Sequence, residues 1–442
     1  MTILQNIPKL KNSLQERVYR DRDYSAAGAT PEDFVPGTAI IKSITLVNDT
    51  GAEYSLTAQC KTMNIYENLM NPVVHADLTI EDSFDLIKTF PIIGEESVIV
   101  EFQTDEESNI VTYVFDVVSV EPKIVLDNMK MQRYILNCAT PELLNSSSTT
   151  ISKYYKGNIS DLVYQILTDD MGVPVDIEIE QTVGIEEITL SDTEPLRMID
   201  YLRRRAISKH KSSSYVFYRN AKGFHFITIE ELIDRGRKEN PLGDKVFYFD
   251  RNSKTSFNTV HFRNILAYNQ PQFVNTLNKV AGGEVTNYSA SVDMISFGVK
   301  DFEYRDVDNA SEFKYIDDGA LGTSTSATQK RFGNTVRMAK LFPVSKERTS
   351  PKTLEKSGFL QAYTSKMAQN ITNIMIYGDS NITVGDVIKC YFVQATDLTI
   401  TPEQAKLDAG NYLISKVRHM FILGGRNTHH MSCELIKGTF TE

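Results

Sequence analysis

The stretch that decides the fold is YGDSNITVGDVIKCYF, residues 377–392, because it has a counterpart far upstream, KTFPIIGEESVIVEF at 88–102. Each sets a Gly followed by an acid, Gly385-Asp386 and Gly94-Glu95, ahead of an apolar run closed by an aromatic. Gly supplies the permissive backbone of a tight turn, and the acid beside it accepts turn hydrogen bonds. The text after each turn also matches. GEESVIVEF leads to VTYVFDVVSVEPKI and QRYILNCA, and GDVIKCYF leads to NYLISKVRHMFI and HMSCELIKG. These runs are rich in Val, Ile and Tyr. In the first, Val98, Val100 and Phe102 alternate with Ile99 and Glu101, which is the period of a strand with one buried face. The expectation is one small antiparallel barrel built twice.

Working outward, the sequence predicts a mainly β chain with an α+β insertion: two tube-like antiparallel barrels, an α/β domain and a small additional region. Residues 1–37 read as a short helix and an extended arm, punctuated by Gly and Pro. Residues 38–140 form the first barrel, interrupted by a short helix in EDSFDLIKTF that Asp82 or Ser83 caps and Pro91 stops. At 141 the period changes to that of helices. NISDLVYQILTDDMG starts at Asn158 or Ser160, buries Leu162, Val163, Ile166 and Leu167, and ends at Gly172, where a C-cap belongs. TEPLRMIDYLRRRAIS follows, with Pro195 in its first turn and a stripe of Leu196, Ile199, Leu202 and Ala206. A hairpin and a short helix complete the α/β domain, 141–241. Residues 242–300 and 370–442 form the second barrel, and 301–369 an inserted loop and helix region, with its helical text at 354–372.

Composition narrows the function classes. The 442 residues are 41% apolar and 24% charged, which is globular, and their number suggests more than one domain. The net charge of -10 argues against binding nucleic acid through a basic surface. The acids cluster at 171–195, seven of them without a Lys or Arg, while 330–366 leans basic. Such asymmetry fits either partner docking or two separate solvated surfaces. The start, MTILQNIPKLKNSLQERVYR, lacks the apolar core of a signal peptide, and no apolar run approaches a membrane span. Cys60, Cys138, Cys390 and Cys433 lie far apart in strand text, as buried free thiols.

Chemistry-bearing constellations are sparse. His429 and His430 are adjacent on a strand and face opposite ways, so only one can meet His419, and no acid completes a metal set. His75, His210, His225 and His261 are scattered. No GxSxG, HExxH or phosphate-binding loop occurs. Asp169-Asp170, Glu186-Glu187 and Glu95-Glu96 sit in turn-like or solvated text. Arg203, Arg204 and Arg205 fan around their helix and flank its apolar stripe, as a contact for an acidic protein partner or a plain charged face. The expectation is no catalytic site, no cofactor and no metal.

Four stretches together resemble the central baseplate hub protein of contractile-tailed bacteriophages. They are SFDLIKTFPIIGEESVIVEF (83–102), YYKGNISDLVYQILTDDMG (154–172), TEPLRMIDYLRRRAIS (193–208) with the hairpin after it, and GDSNITVGDVIKCYF with GNYLISKVRHMF (378–421). The second carries an aromatic-x-Gly-x-x-Ser-Asp pattern, which makes Gly157 a turn candidate beside Gly172. The likeness touches most of 38–440 and departs in the first 37 residues and in 301–353. It implies a structural virion protein: a homotrimeric ring whose six barrels adapt a six-fold tail tube to a three-fold spike. The implied partners are the tail tube protein, the central spike protein, baseplate wedge proteins and DNA passing through the lumen. The implied location is the virion tail baseplate, assembled in the host cytoplasm without membrane insertion. Lumen residues are then expected on the polar face of the barrel strands, with Glu101 a candidate and Arg203, Arg204 and Arg205 excluded. Two alternatives stand beside it: a hub-associated cell-wall hydrolase working through an acid pair, and a tip or adhesion protein of a related contractile injection system.

Overall fold

The computed structural model describes residues 37–104, 108–126, 131–189, 191–210, 212–239, 245–249, 263–272, 275–292, 299–305, 320–321, 342–343, 351–392, 410–437 and 440–441. The first repeated unit comprises β1 (Ile40–Val47), β2 (Cys60–Asn68), β3 (Asn71–Asp82), the short helix α1 (Leu86–Thr89), β4 (Ser97–Gln103), β5 (Val111–Leu126) and β6 (Met131–Ala139). The α/β unit follows with α2 (Glu142–Ser148), α3 (Ile159–Gln165), α4 (Pro195–Arg203), β7 (Tyr215–Asn220), β8 (Gly223–Thr228) and α5 (Ile229–Glu239). The second unit holds β9 (Val246–Phe249), β10 (Ile265–Gln272), α6 (Thr276–Ala281), α7 (Pro351–Met367), β11 (Asn370–Tyr377), β12 (Val387–Phe392), β13 (Gly410–Ile422) and β14 (Thr428–Lys437). Shorter strands go by residue number.

The two units share one strand order. The first runs β2-β3-β6-β5-β4-β1 and the second β10-β11-β14-β13-β12-β9. Neighbours are antiparallel throughout, except that β9 lies parallel to β12 where β1 lies antiparallel to β4. The registers also coincide. In the second unit Leu413 and Ile414 face Ile436 and Leu435, Ser415 bulges out, and Lys416 faces Glu434. In the first, Asp116 and Val117 face Ala139 and Cys138, Val118 bulges out, and Ser119 faces Asn137. A bulge bends a strand and raises its twist. Here it lets a long strand leave one neighbour and continue along another. β13 pairs with β12 through Gly410–Leu413 and then with β2 through Lys416–Ile422.

That β13·β2 ladder fuses both units into one sheet. Phe421 and Leu423 of the second unit are buried in the first unit's core, among Met63, Val100 and Phe102. Burying side chains of this size contributes ~1.5–3 kcal/mol each. The second core gathers β10–β14 with Leu232 and Ile233 of α5 and Phe359, Tyr363 and Met367 of α7. A third core belongs to the α/β unit, built on Leu162 and Val163 from α3, Ile166 and Leu167 from the turn that continues it, and Met198, Ile199 and Leu202 from α4.

Several expectations need adjustment. α3 passes into a π-helical turn at Ile166–Asp170 before Gly172, which takes the left-handed φ of +61° expected of a helix terminator. Asp82 serves α1 from a distance: its carboxylate accepts from the Phe84 and Leu86 amides at 2.8 and 2.6 Å, while Asp85 holds the cap position with φ of +54°. The helical text at 354–372 ends at Met367, and Asn370 onward is β11, where alternate residues are buried. Residues 286–292 pair with 299–305 and with 342–343 in a separate small sheet, so among the described residues of 242–300 the barrel strands are β9 and β10. Residues 1–36 and most of 317–333 lie outside the described residues.

Candidate functional site at the joint between the units

The two Gly turns open β4 and β12. Gly94 and Gly385 have φ of +94° and +90°, a region that L side chains avoid. The acid that matches Asp386 is Glu96 rather than Glu95. The Val117 amide donates to the Glu96 carbonyl at 3.0 Å, and the equivalent Ile414 amide donates to the Asp386 carbonyl at 2.9 Å. Glu96 is buried and its carboxylate accepts from the Ile93 and Gly94 amides at 2.8 and 2.9 Å. Glu95 is exposed. The Asp386 carboxylate takes Lys245 Nζ at 2.7 Å.

The surroundings of the turns differ. A Cβ on Gly385 would sit 2.4 Å from the Tyr218 hydroxyl, so the hairpin β7–β8 covers the second turn. Nothing lies within 4 Å of such an atom on Gly94, and Ile93 beside it is exposed. Between hairpin and second turn lies a cavity of about 90 Å³. Its Glu178 pairs with Arg235 at 2.5 Å and with His225 at 2.8 Å.

The joint carries a buried carboxylate, Glu67 of β2. It accepts from Tyr113 on β5, from Thr383 Oγ1 at 2.7 Å and from the Val384 amide at 3.0 Å. It therefore ties the first unit to the loop that enters Gly385. Burial pushes its carboxyl pKa up, and these three hydrogen bonds partly offset that. Beside it His419 Nδ1 and His429 Nε2 stand 3.1 Å apart, with Phe102 of the first unit against both rings. His430 turns the other way, against Tyr377, as strand alternation requires. Burial drives the His419 pKa down to about 4 and that of His429 well below its ordinary value. Both are neutral near pH 7. Among the described residues no group of three or more metal-ligating side chains gathers.

The remaining candidates have partners of their own. Arg203 grips Asp200 Oδ1 at 2.7 Å and donates to the Tyr215 carbonyl at 3.1 Å. Arg204 meets the other Asp200 oxygen at 2.5 Å, and Arg205 pairs with Glu186 and donates to the Tyr201 hydroxyl at 2.7 Å. Only Arg204 is mostly exposed. Gly157 ends a strand, Tyr154–Gly157, in ordinary backbone conformation. The acid pairs are tied into local structure. Asp170 holds Lys153 at 2.5 Å and the Tyr155 hydroxyl at 2.6 Å, and Glu187 pairs with Lys156 at 2.5 Å. Glu67 and the β13·β2 ladder were beyond sequence reasoning, since both join residues over three hundred positions apart.

No protein-family model and no curated protein matches the chain. Solved structures do. The tail protein from Neisseria meningitidis MC58 superposes with a TM-score of 0.55 at 9% identity, covering 89% of this chain and 96% of that one. The 43 kDa tail protein of prophage MuSo2 from Shewanella oneidensis gives 0.52 at 10% identity, covering 90% and 99%. At such identities the likeness is one of architecture, and it spans both repeated units and the α/β unit between them. The chain has the fold of these phage-type tail proteins.

Proposed function

We propose that the protein is a structural component of a contractile-tail baseplate: a hub in which three copies close into a ring of six barrels, adapting a six-fold tube to a three-fold spike. The observation that carries this reading is the asymmetry of the repeat. The inner ladder joins the far half of β13 to β2. The counterparts of those strands are β5 and β10. Among the described residues, β5 beyond Asp116 pairs only with β6, and β10 only with β11. Open edges of this kind are pairing sites. The joint already made inside the chain supports pairing β5 of one copy with β10 of the next.

Each copy then supplies eight consecutive strands, β10-β11-β14-β13-β2-β3-β6-β5. A head-to-tail contact of this kind closes a ring when its rotation permits. Twenty-four strands at ~4.8 Å give a circumference of about 115 Å and about 37 Å between facing backbones. Allowing ~5 Å of side chain on each side, half the usual separation of packed sheets, leaves a bore of about 27 Å, which admits a DNA duplex. The partners of the ring are a tube protein on one side, a spike on the other and wedge proteins outside, in the tail of a virion assembled in the host cytoplasm. A structural role is also supported by the acid pairs, which are tied into ion pairs, hydrogen bonds and turns rather than facing each other across a cleft as a hydrolase would need.

The repeat predicts the register of this contact. Met420 faces Asn64 in the inner joint, and their counterparts by strand pairing are Ile124 and Asn269. Directly opposite residues in an antiparallel pair have Cα atoms ~4.5–5.5 Å apart, within the range that a disulfide spans. The double variant Ile124→Cys/Asn269→Cys should cross-link copies into a covalent trimer under oxidation, and either single variant should not. A double variant that stays a single chain on a denaturing gel, while light scattering shows an assembled ring, would refute this edge pairing. A protein that stays single in both assays would refute the ring.

A further inference from the structure

The eight-strand sheet has two faces, and among the described residues only one is covered. The helices that pack on it, α1, α5 and α7, send their apolar residues into the cores on one side. Paired residues share a face, so the other face can be followed across the joint. Ala267 faces Met375, then Ser432, Arg418, Tyr66 and His75. These residues are partly or well exposed. If the proposed ring forms, the bulkier side, which carries the cores and the α/β unit, takes the outer circumference, and the bare face turns inward.

Two of the three cations described on that face are neutralised across strands. Lys416 on β13 meets Glu434 on β14 at 2.9 Å. Arg133 on β6 pairs with Glu81 on β3. Arg418 donates through Nε and Nη2 to Asn64 Oδ1 at 3.2 and 3.1 Å and lies over the Tyr66 ring, 5.4 Å from its centre. Two further acids share the face. Asp77 accepts from the Tyr66 hydroxyl at 3.2 Å, and Glu121 from Asn137 at 3.0 Å. Glu101, on β4, lies off this eight-strand path and takes the Ser43 hydroxyl at 2.8 Å.

We infer that this face is the channel wall and that it is built to let a polyanion slide: two of the three permanent cations described on it are paired with a carboxylate on the next strand, the third is held by Asn64 and the Tyr66 ring, and acids slightly outnumber bases. The inference rests on the ring reading for its inward orientation, and on the face itself for its chemistry. A free Lys or Arg there would release counterions on meeting a phosphate and hold the strand in transit. A cation beside its own carboxylate gains little, because the same carboxylate repels the phosphate.

The test removes the masks. Glu81→Gln with Glu434→Gln leaves Arg133 and Lys416 unpaired without adding bulk. The control, Asp161→Asn with Asp169→Asn, changes net charge equally on the exposed surface of the α/β unit. Full-length proteins are titrated into a short fluorescent DNA duplex at several salt concentrations, and their masses are read by light scattering. The wild type and the control are expected to bind negligibly. The unmasked variant is expected to bind at low salt, with log K falling against log salt by about 1.8 per copy contacted, from ~0.9 for each phosphate neutralised. Tight, salt-steep binding by the wild type would overturn the inference, as would equal binding by the control and the unmasked variant. A single-copy mass would fault the ring alone, because the comparison of variants reads the face in either state.

Discussion

Acidification should loosen the joint through His419 and His429. The sign follows from burial. Both rings are neutral in the fold, where desolvation disfavours the imidazolium, whereas in the unfolded chain they take protons near pH 6.5. The unfolded state therefore binds more protons in the window below 6.5, and stability that is fully present above it is lost as pH falls. For His419 the drop from 6.5 to about 4 corresponds to about 3 kcal/mol by pH 4, and to about 2 kcal/mol between pH 6.5 and 5. His429 acts in the same direction. The assay compares urea unfolding, followed by circular dichroism, of the wild type and His419→Gln at pH 7 and pH 5. Hydrogen exchange of the β2 and β13 amides serves as a local readout. The wild type should lose about 2 kcal/mol more than the variant over this interval, with exchange quickening first along the joint. Parallel losses in the two proteins would show that the pair does not titrate as its burial requires.

Two further predictions concern the joint and the turns. Glu67→Ala leaves the Tyr113 and Thr383 hydroxyls and the Val384 amide without their acceptor and should cost about 3–5 kcal/mol, whereas Glu67→Gln retains an acceptor and should cost about 1–3 kcal/mol; equal midpoints in urea for the two variants would refute the role of the carboxylate as a three-way acceptor. Gly94→Ala should cost about 1–2 kcal/mol from its left-handed backbone alone, and Gly385→Ala more, because its Cβ also meets Tyr218. Thermal midpoints check this order, and the reverse order would contradict the covered and uncovered turns.

Much of this fold was legible because its decisive features are local. Gly94 and Gly385 announced turns, and the strands behind them carried the alternation that fixes which face is buried. The bulges at Val118 and Ser415 fall at the same place in VVSV and LISKV, a match the strand triplets already suggested. The legible part ended where one residue more or fewer matters. Glu95 adjoins its Gly as Asp386 does, yet the first turn is one residue longer, so Glu96 takes the structural place. Period alone also gives a strand no address: 286–292 and 299–305, on either side of the strand-like text at 290–300, pair in a different sheet. Arg203, Arg204 and Arg205 read as either a docking contact or a plain charged face, because their partners, Asp200, Glu186 and the Tyr215 carbonyl, are set by folding. Glu67 gave no signal, since its donors come from Tyr113 and from a loop over three hundred residues away.

The central claim is that the repeated unit occurs six times around one axis in three chains. Electron micrographs of the purified or tail-assembled ring, averaged without imposed symmetry, test it most directly. The account predicts three-fold symmetry with an approximate six-fold arrangement of barrels and a β5-to-β10 ladder between copies that repeats the inner β13-to-β2 ladder. A two-copy or six-copy ring, or a three-copy ring whose β5 and β10 edges stand apart, would contradict it.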